Sequence, residues 1–226
     1  MSLCLLINLL SISIPFLVSF HPRIKLYKNW GSLILALLMA MIPFIIWDIY
    51  FTEQEYWGFN PDYHLPFLLL GMPIEEWLFF FCIPYASIFI HYSLAYFKPN
   101  LLISDKVAKI ITLFFIVILI PIIFLNTDKS YTFINYSFLI FVLLIGYFFG
   151  IKHLQRFYIS FLIILVPFFV VNGILTGTGL EEPVVWYNNA ENLGIRLITI
   201  PIEDIGYAFT MIFGNILLIE KFKIKK

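Results

Sequence analysis

Apolar runs follow one another along almost the whole chain, separated by short polar segments. Seven of them approach or exceed the roughly 20 residues that a helix needs to cross about 30 Å of hydrocarbon. They cover residues 2–20, 31–51, 65–97, 107–125, 131–150, 157–176 and 193–220. The runs are uniformly rich in Leu, Ile and Phe and do not alternate with polar residues, which disfavours a β-barrel. We therefore predict an all-α integral membrane protein with seven transmembrane helices.

Basic residues are distributed unevenly between the segments that connect these runs. When seven spans are counted, 12 of the 14 Lys and Arg residues fall on one side of the membrane. Cytoplasmic loops carry an excess of Lys and Arg. We expect a multi-pass protein of the cell membrane with its N-terminus outside and its C-terminus in the cytoplasm. A cleavable signal peptide has basic residues before its apolar run, and no basic residue precedes the first run here. We therefore expect this run to remain as a helix.

A short motif of proline and two acids occurs twice in the chain. The sequence Pro-Ile-Glu-Glu at 73–76 recurs 128 residues later as Pro-Ile-Glu-Asp at 201–204. Spans 1 to 3 therefore match spans 5 to 7. We predict a first repeat at 1–100, a linker helix within 101–130 and a second repeat at 131–226. Four spans separate equivalent helices, so the two repeats run parallel to each other.

This 3+1+3 arrangement predicts a site shared by the two repeats, between spans 3 and 7. Asp48 lies near the end of span 2, and Asn172 near the end of span 6 is its expected counterpart. Both are candidate substrate-binding residues. Span 4 has no acidic residue between Val107 and Leu125, so we expect it to face lipid and to be structural.

Four carboxyl groups, Glu75, Glu76, Glu203 and Asp204, lie inside the predicted spans 3 and 7. An ionised side chain there costs about 2.5–3.5 kcal/mol, so at least one member of each pair is expected to be protonated and able to donate a proton. Neighbouring residues project about 100° apart on a helix, so one can face a cavity while the other is anchored by a partner. Alternatively, the carboxyls satisfy backbone groups freed by the prolines or pair with Arg196, seven residues before Glu203 and on nearly the same face.

Aromatic side chains crowd the same two spans. Trp77 and Phe80 follow the first motif, together with Phe79 and Phe81, and Tyr207 follows the second, together with Phe209. Aromatic faces can stabilise a cation in a cavity that holds no water, although ordinary packing is the alternative for each of them. Trp77, Phe80, Tyr207 and Arg196 are candidate substrate-binding residues. Gly146 and Gly150 form a small-xxx-small pair that indicates close helix packing.

The composition narrows the class of protein further. Apolar residues make up 62% of the chain and charged residues 12%, and the mean hydropathy is +0.95. Equal numbers of acidic and basic residues, 14 of each, give no basic surface for nucleic acid. Cys4 and Cys82 lie in different apolar runs, so neither a disulfide framework nor a cysteine-rich metal site is expected.

The paired motifs, set in two three-helix halves, resemble the lycopene cyclase domain family, the non-flavin carotenoid cyclases of bacteria, archaea and fungi. Residues 73–80 carry the resemblance in the first half, and residues 193–197 with 201–204 carry it in the second. In that family the halves are separate subunits or one fused chain. This chain resembles the fused form, which is compatible with a monomer.

The resemblance implies that lycopene from the bilayer is cyclised at its ψ ends to β rings, giving γ-carotene and then β-carotene with no net redox change. Such a reaction needs an acid, a cation-tolerant wall and a base. Glu75 and Glu203 are the first candidates for acid and base, and Glu76 and Asp204 are the second. No flavin, other cofactor or metal is implied. Some relatives make ε or γ rings, or cyclise only one end of the carotenoid. The resemblance therefore does not fix the ring type or the number of rings formed by this chain.

A transporter is the competing class. Parallel three-helix repeats joined by a linker helix are also the arrangement of SWEET sugar transporters. A sugar pathway should be lined by Asn, Ser, Thr and Trp, whereas the motifs here place carboxyls among aromatic residues. A retinal protein is excluded, because the last span has no lysine before Lys221. The pattern favours the cyclase.

Overall fold

The computed structural model describes residues 1–223 and places one helix in each of the seven apolar runs. Six helices, α2 to α7, are long and apolar enough to cross a membrane, and α1 is an apolar helix of 16 residues. The helices are α1 (Leu3–Val18), α2 (Trp30–Glu53), α3 (Ile74–Phe97), α4 (Asp105–Leu125), α5 (Ser130–Phe149), α6 (Ile151–Leu175) and α7 (Glu203–Phe222), and a short 3₁₀ turn (Leu26–Asn29) precedes α2.

The predicted starts of spans 3 and 7 are wrong. Instead of helices beginning at residues 65 and 193, the chain forms two small antiparallel hairpins. The first pairs β2 (Leu68–Leu69) with β3 (Met72–Pro73), and the second pairs β5 (Arg196–Leu197) with β6 (Ile200–Pro201). Proline has no backbone N–H and disfavours the helical conformation in the residue before it, so each helix begins only after its proline. Both motifs therefore stand at the start of a helix.

A third strand pair joins the two halves of the chain. Strand β1 (Trp57–Phe59), after α2, runs antiparallel to β4 (Val185–Tyr187), after α6. Gly58 lies opposite Trp186, and a Cβ at Gly58 would overlap the Trp186 ring, so glycine leaves the space that the indole occupies. All three strand pairs lie where α2 and α6 end and α3 and α7 begin. We call this the hairpin end of the bundle.

Helix α7 is the central helix of the bundle. It packs against α2, α3, α5 and α6. Of the residues in its most apolar stretch, 56% are buried, whereas the corresponding share for α4 is 22%. Phe157 of α6 stacks on Phe213 of α7 with ring centroids 5.0 Å apart in the largest core cluster. Helix α4 packs on α5 and α6 at the edge of the bundle, which agrees with its predicted structural role.

The close helix packing predicted at Gly146 is confirmed. A Cβ at this position of α5 would lie 2.7 Å from both the Leu154 Cδ1 atom of α6 and the Phe213 Cε1 atom of α7. Real Cβ atoms do not approach other heavy atoms so closely. The missing side chain thus allows three helices to meet.

Gly146→Val is expected to lower the stability of the purified protein by about 1–3 kcal/mol, because the added atoms overpack a filled core. The matched control is Gly214→Val in α7, where a Cβ would meet nothing within 4 Å. Thermal unfolding in detergent would measure both variants. Equal midpoints for the two would contradict close packing at Gly146.

Candidate active site

A cavity of about 450 Å³ lies between α3, α6 and α7, with α1 along one side. Most of its lining is apolar. Apart from Ser11 and Ser87, its polar side chains gather at the hairpin end, near the ends of α2 and α6 and the starts of α3, α5 and α7. These polar and aromatic residues are Asp48, Trp57, Glu76, Tyr131, Asn172, Tyr187, Asp204 and Tyr207. The cavity therefore has one polar end, and the rest of its lining is largely apolar.

Asp204 is held by three hydrogen-bond donors. Its Oδ1 atom accepts from the Tyr131 hydroxyl at 2.5 Å. Its Oδ2 atom accepts from the Asn172 side-chain amide at 2.8 Å and from the Tyr187 hydroxyl at 3.1 Å. Hydrogen bonds donated to both oxygens favour the ionised carboxylate. This acid is thus fixed in position at the cavity wall.

Glu76 lines the cavity in a different setting. No donor within residues 1–223 forms a hydrogen bond to its carboxyl group. Asp48 lines the same end of the cavity, where its Oδ1 atom accepts from the Trp57 indole N–H at 2.5 Å. The Asp48 Oδ2 atom is buried and has no hydrogen-bond partner in this part of the chain. The first half therefore presents carboxyl oxygens that can hold a proton.

Glu75, beside Glu76, points away from the cavity into the protein. Its Oε1 atom accepts from the Ser2 hydroxyl at 2.6 Å and from the backbone N–H of Leu65 at 2.7 Å. The backbone carbonyl of Glu75 accepts from the Asn8 side-chain amide at 2.8 Å. These contacts tie the start of α3 to α1 and to the segment before the first hairpin.

Glu203 makes the same three contacts in the second half. Its Oε1 atom accepts from the Thr132 hydroxyl at 2.7 Å and from the backbone N–H of Leu193 at 2.8 Å. Its backbone carbonyl accepts from the Asn135 side-chain amide at 2.7 Å. The start of α7 is thereby tied to α5 and to the segment before the second hairpin.

The expectation that adjacent acids diverge is confirmed by this arrangement. The cavity-facing acids are Glu76 and Asp204, and the anchored acids are Glu75 and Glu203, each at most 1% exposed. Glu75 and Glu203 were the first candidates for acid and base, but neither lines the cavity. The motif thus supplies one structural carboxyl and one cavity carboxyl in each half.

The sequence pattern suggested that Arg196 shares a helix face with Glu203, but the structure shows that it does not. It lies in β5, before α7 begins, so the helical spacing does not apply. Its guanidinium donates to the Thr199 carbonyl at 2.9 Å and to Asn189 Oδ1 at 2.6 Å. The same group lies 5.3 Å from the centroid of the Tyr187 ring, so its contacts fix the second hairpin.

The predicted aromatic wall is only partly in the cavity. Tyr207 and Phe79 line it. Trp77 donates its indole N–H to the Leu69 carbonyl at 3.2 Å and thereby holds the first hairpin on α3. Phe80 is 2% exposed and packs in the core with Phe44. These two side chains do not line the cavity.

Five aromatic residues that line the cavity were not candidates from the sequence: Trp57, Phe59, Tyr131, Phe168 and Tyr187. Trp57 and Tyr131 meet edge to face with ring centroids 5.2 Å apart, and Tyr187 lies 5.9 Å from Trp57. Trp57 and Tyr187 are brought together by the β1–β4 pairing. Trp57 and Asn60 recur as Trp186 and Asn188, 129 and 128 residues later, but no spacing rule connects these two loops to spans 3 and 7.

The fold and this cavity define a multi-pass membrane protein with an apolar cavity that has carboxyl groups at one end. The family model described as Lycopene cyclase matches residues 1–94 and again residues 128–222, which together make up most of the chain. This chain belongs to the lycopene cyclase family and is a carotenoid cyclase, an enzyme with an isomerase-type reaction. No curated protein and no solved structure matches it.

Thr132→Val is expected to destabilise the protein by about 1–3 kcal/mol, because it removes a donor from the buried Glu203 carboxyl without changing side-chain shape. The matched control is Thr210→Val in α7, whose buried hydroxyl donates only to the Gly206 carbonyl of its own helix, at 2.8 Å. Thermal unfolding in detergent would compare them. A smaller loss for Thr132→Val than for Thr210→Val would contradict the anchoring role of Glu203.

Proposed function

We propose that this protein is a lycopene β-cyclase that converts the ψ end groups of lycopene to β rings within the membrane, giving γ-carotene and then β-carotene. The observation that carries the proposal is the contrast between two carboxyls at the polar end of one apolar cavity. Asp204 accepts three hydrogen bonds, whereas Glu76 accepts none from residues 1–223. An acid and a base of this kind are what a redox-neutral cyclisation requires.

Glu76 is the proton donor in this proposal. Its carboxyl faces the cavity with no hydrogen-bond donor to stabilise a negative charge, and Asp48 adds a second acid beside it. Low polarity and a neighbouring acid both favour the neutral, protonated form. The proton adds to the terminal C=C of the ψ end and leaves a tertiary cation. The next double bond attacks that cation, and a new carbon–carbon bond closes the ring.

Asp204 is the base in this proposal. The cation left in the new ring loses one proton to a carboxylate, and the electron pair of that C–H bond becomes the ring double bond. Tyr131, Asn172 and Tyr187 hold Asp204 in the ionised form that can accept this proton. One proton enters and one leaves for each ring, so a proton must return from Asp204 to Glu76 before the next ring is closed.

Aromatic rings stabilise the intermediate cations in this proposal. Trp57, Tyr131, Tyr187 and Tyr207 all line the polar end. A ring face within about 6 Å of a positive charge contributes about 2 kcal/mol or more where water is excluded. The two carboxyl groups and these rings therefore surround the place where charge develops.

The proposed architecture consists of two parallel three-helix repeats, α1–α3 and α5–α7, joined by α4. The two segments that the family model matches flank α4 and support this division. The repeated contacts of Glu75 and Glu203 support it as well. We place the N-terminus and the hairpin end outside the cell and the C-terminus in the cytoplasm, on the basis of the basic residues.

Expression of this chain alone in a bacterial host that accumulates lycopene tests the function. We expect liquid chromatography of the pigments to show γ-carotene and β-carotene. Bicyclic products with ε rings would contradict the ring type. Unchanged lycopene, with the protein confirmed in the membrane, would contradict the cyclase and favour the transporter class.

Glu76→Gln is expected to reduce conversion by about a hundredfold or more, because a general acid contributes about 10²–10⁴ to a rate. Asp204→Asn is expected to do the same through loss of the base. Initial rates of conversion in membranes, at matched protein amounts, would measure both.

Glu75→Gln is the matched control for Glu76→Gln. A glutamine oxygen can still accept from the Ser2 hydroxyl and from the backbone N–H of Leu65. We expect this variant to retain much more activity than Glu76→Gln. If Glu75→Gln were inactive in a folded protein while Glu76→Gln stayed active, the assignment of roles would be reversed.

A further inference from the structure

The cavity is open on one side, between α1 and α6. Among its lining residues in the described part of the chain, the exposed ones are Leu10 of α1 and Pro167 and Val170 of α6. Leu10 is 63% exposed and Val170 is 61% exposed, although both also line the cavity. Residues that are exposed and line a cavity at the same time form its rim.

The neighbouring parts of the bundle are closed around this opening. At the hairpin end, Ile7 of α1 and Leu175 of α6 are buried together with Val184 in one apolar cluster. Behind the opening, α3 packs against both α1 and α6. The gap therefore faces sideways from the bundle, at a depth where the surrounding medium of a transmembrane helix is lipid.

The cavity is shorter than a C40 polyene. Along α3 its lining extends from Glu76 to Ile90, which is about 21 Å at 1.5 Å per residue. An extended C40 chain has a length comparable to the hydrocarbon core of a bilayer, about 30 Å. The cavity has one polar end, where Glu76 and Asp204 lie. A substrate with both end groups inside would have only one of them near the carboxyls.

We propose that the opening between Leu10 and Val170 is the lateral portal through which a carotenoid inserts one end group at a time. The rest of the polyene stays in the portal and in the adjacent lipid. The two ends are then cyclised in separate binding events, and the monocyclic product leaves and returns with its other end first. This inference rests on the proposed cyclase function, and it names where the substrate lies and how often it binds.

A spin label tests the portal without relying on turnover. Cys4 and Cys82 are first replaced by Ser and Ala, and Glu76→Gln is included to block the reaction. Val170→Cys then carries a nitroxide in liposomes with or without lycopene. We expect lycopene to reduce the mobility of this label. The matched control is Val117→Cys on α4, which is 67% exposed and does not line the cavity, and its label should not respond.

Tryptophan substitutions test the same portal through activity. Val170→Trp in the otherwise unchanged protein should lower the initial rate of lycopene conversion by about tenfold, as expected when a large side chain overpacks a narrow path. Val117→Trp should leave the rate unchanged. An unresponsive label at position 170 and equal rates for the two Trp variants would overturn the portal and leave the cyclase intact. A responsive label in a chain that forms no ring would support the portal and contradict the cyclase.

A pulse–chase experiment tests whether the ends are cyclised separately. Isotope-labelled lycopene is converted in liposomes for less than one turnover, and a large excess of unlabelled lycopene is then added. We expect the label to remain in the monocyclic product, because released γ-carotene must compete for the portal again. Continued formation of labelled bicyclic product after the chase would show that both ends react in one binding event.

Discussion

Two buried hydrogen-bonded carboxyls determine how this site is assembled. Glu75 and Glu203 each accept from a backbone N–H ten residues earlier in the chain and from a hydroxyl at the start of the first helix of their own half. Such a carboxyl is costly to bury without hydrogen bonds, and here Oε1 accepts both of them while Oε2 has no partner within residues 1–223. Because each anchor stands in the first turn of its helix, the next residue is turned by about 100° and faces the cavity. Anchoring one acid therefore orients the other.

The two halves share this anchor but differ in what they place in the cavity. In the first half, the C-terminal part of α2 provides Asp48, and in the second half the last turn of α6 provides Asn172. An amide donates to a carboxylate, whereas a second acid competes with it for a proton. The exchange of Asp48 for Asn172, together with the hydroxyls of Tyr131 and Tyr187, thus gives Asp204 hydrogen-bond donors that Glu76 lacks within residues 1–223.

Much of the fold was predictable from the sequence, because apolar runs and a repeated motif are local signals. The seven helices, the diverging acids and the shared cavity all follow from helix length, helix spacing and duplication. The starts of α3 and α7 were mispredicted, because residues 65–73 are as apolar as a helix but end in Pro73. The assignment of anchor and cavity acid depends on Ser2, Thr132 and two backbone N–H groups, which no local pattern connects to the motif. The sequence does contain one sign of these contacts. Two polar residues in apolar runs, Asn8 and Asn135, lie 127 positions apart, close to the spacing of the motifs, and each donates to the backbone carbonyl of an anchored acid.

The pairing of β1 with β4 has a consequence for how the two halves stay together. Trp57–Phe59 and Val185–Tyr187 form a strand ladder across the halves, and α2 packs on α7 while α3 packs on α6. The halves thus interlock through a surface that does not involve α4. The peptide connection through α4 adds only a high effective concentration of one half near the other. The contacts that hold the two halves together, and the residues that line the cavity between them, therefore all lie outside α4.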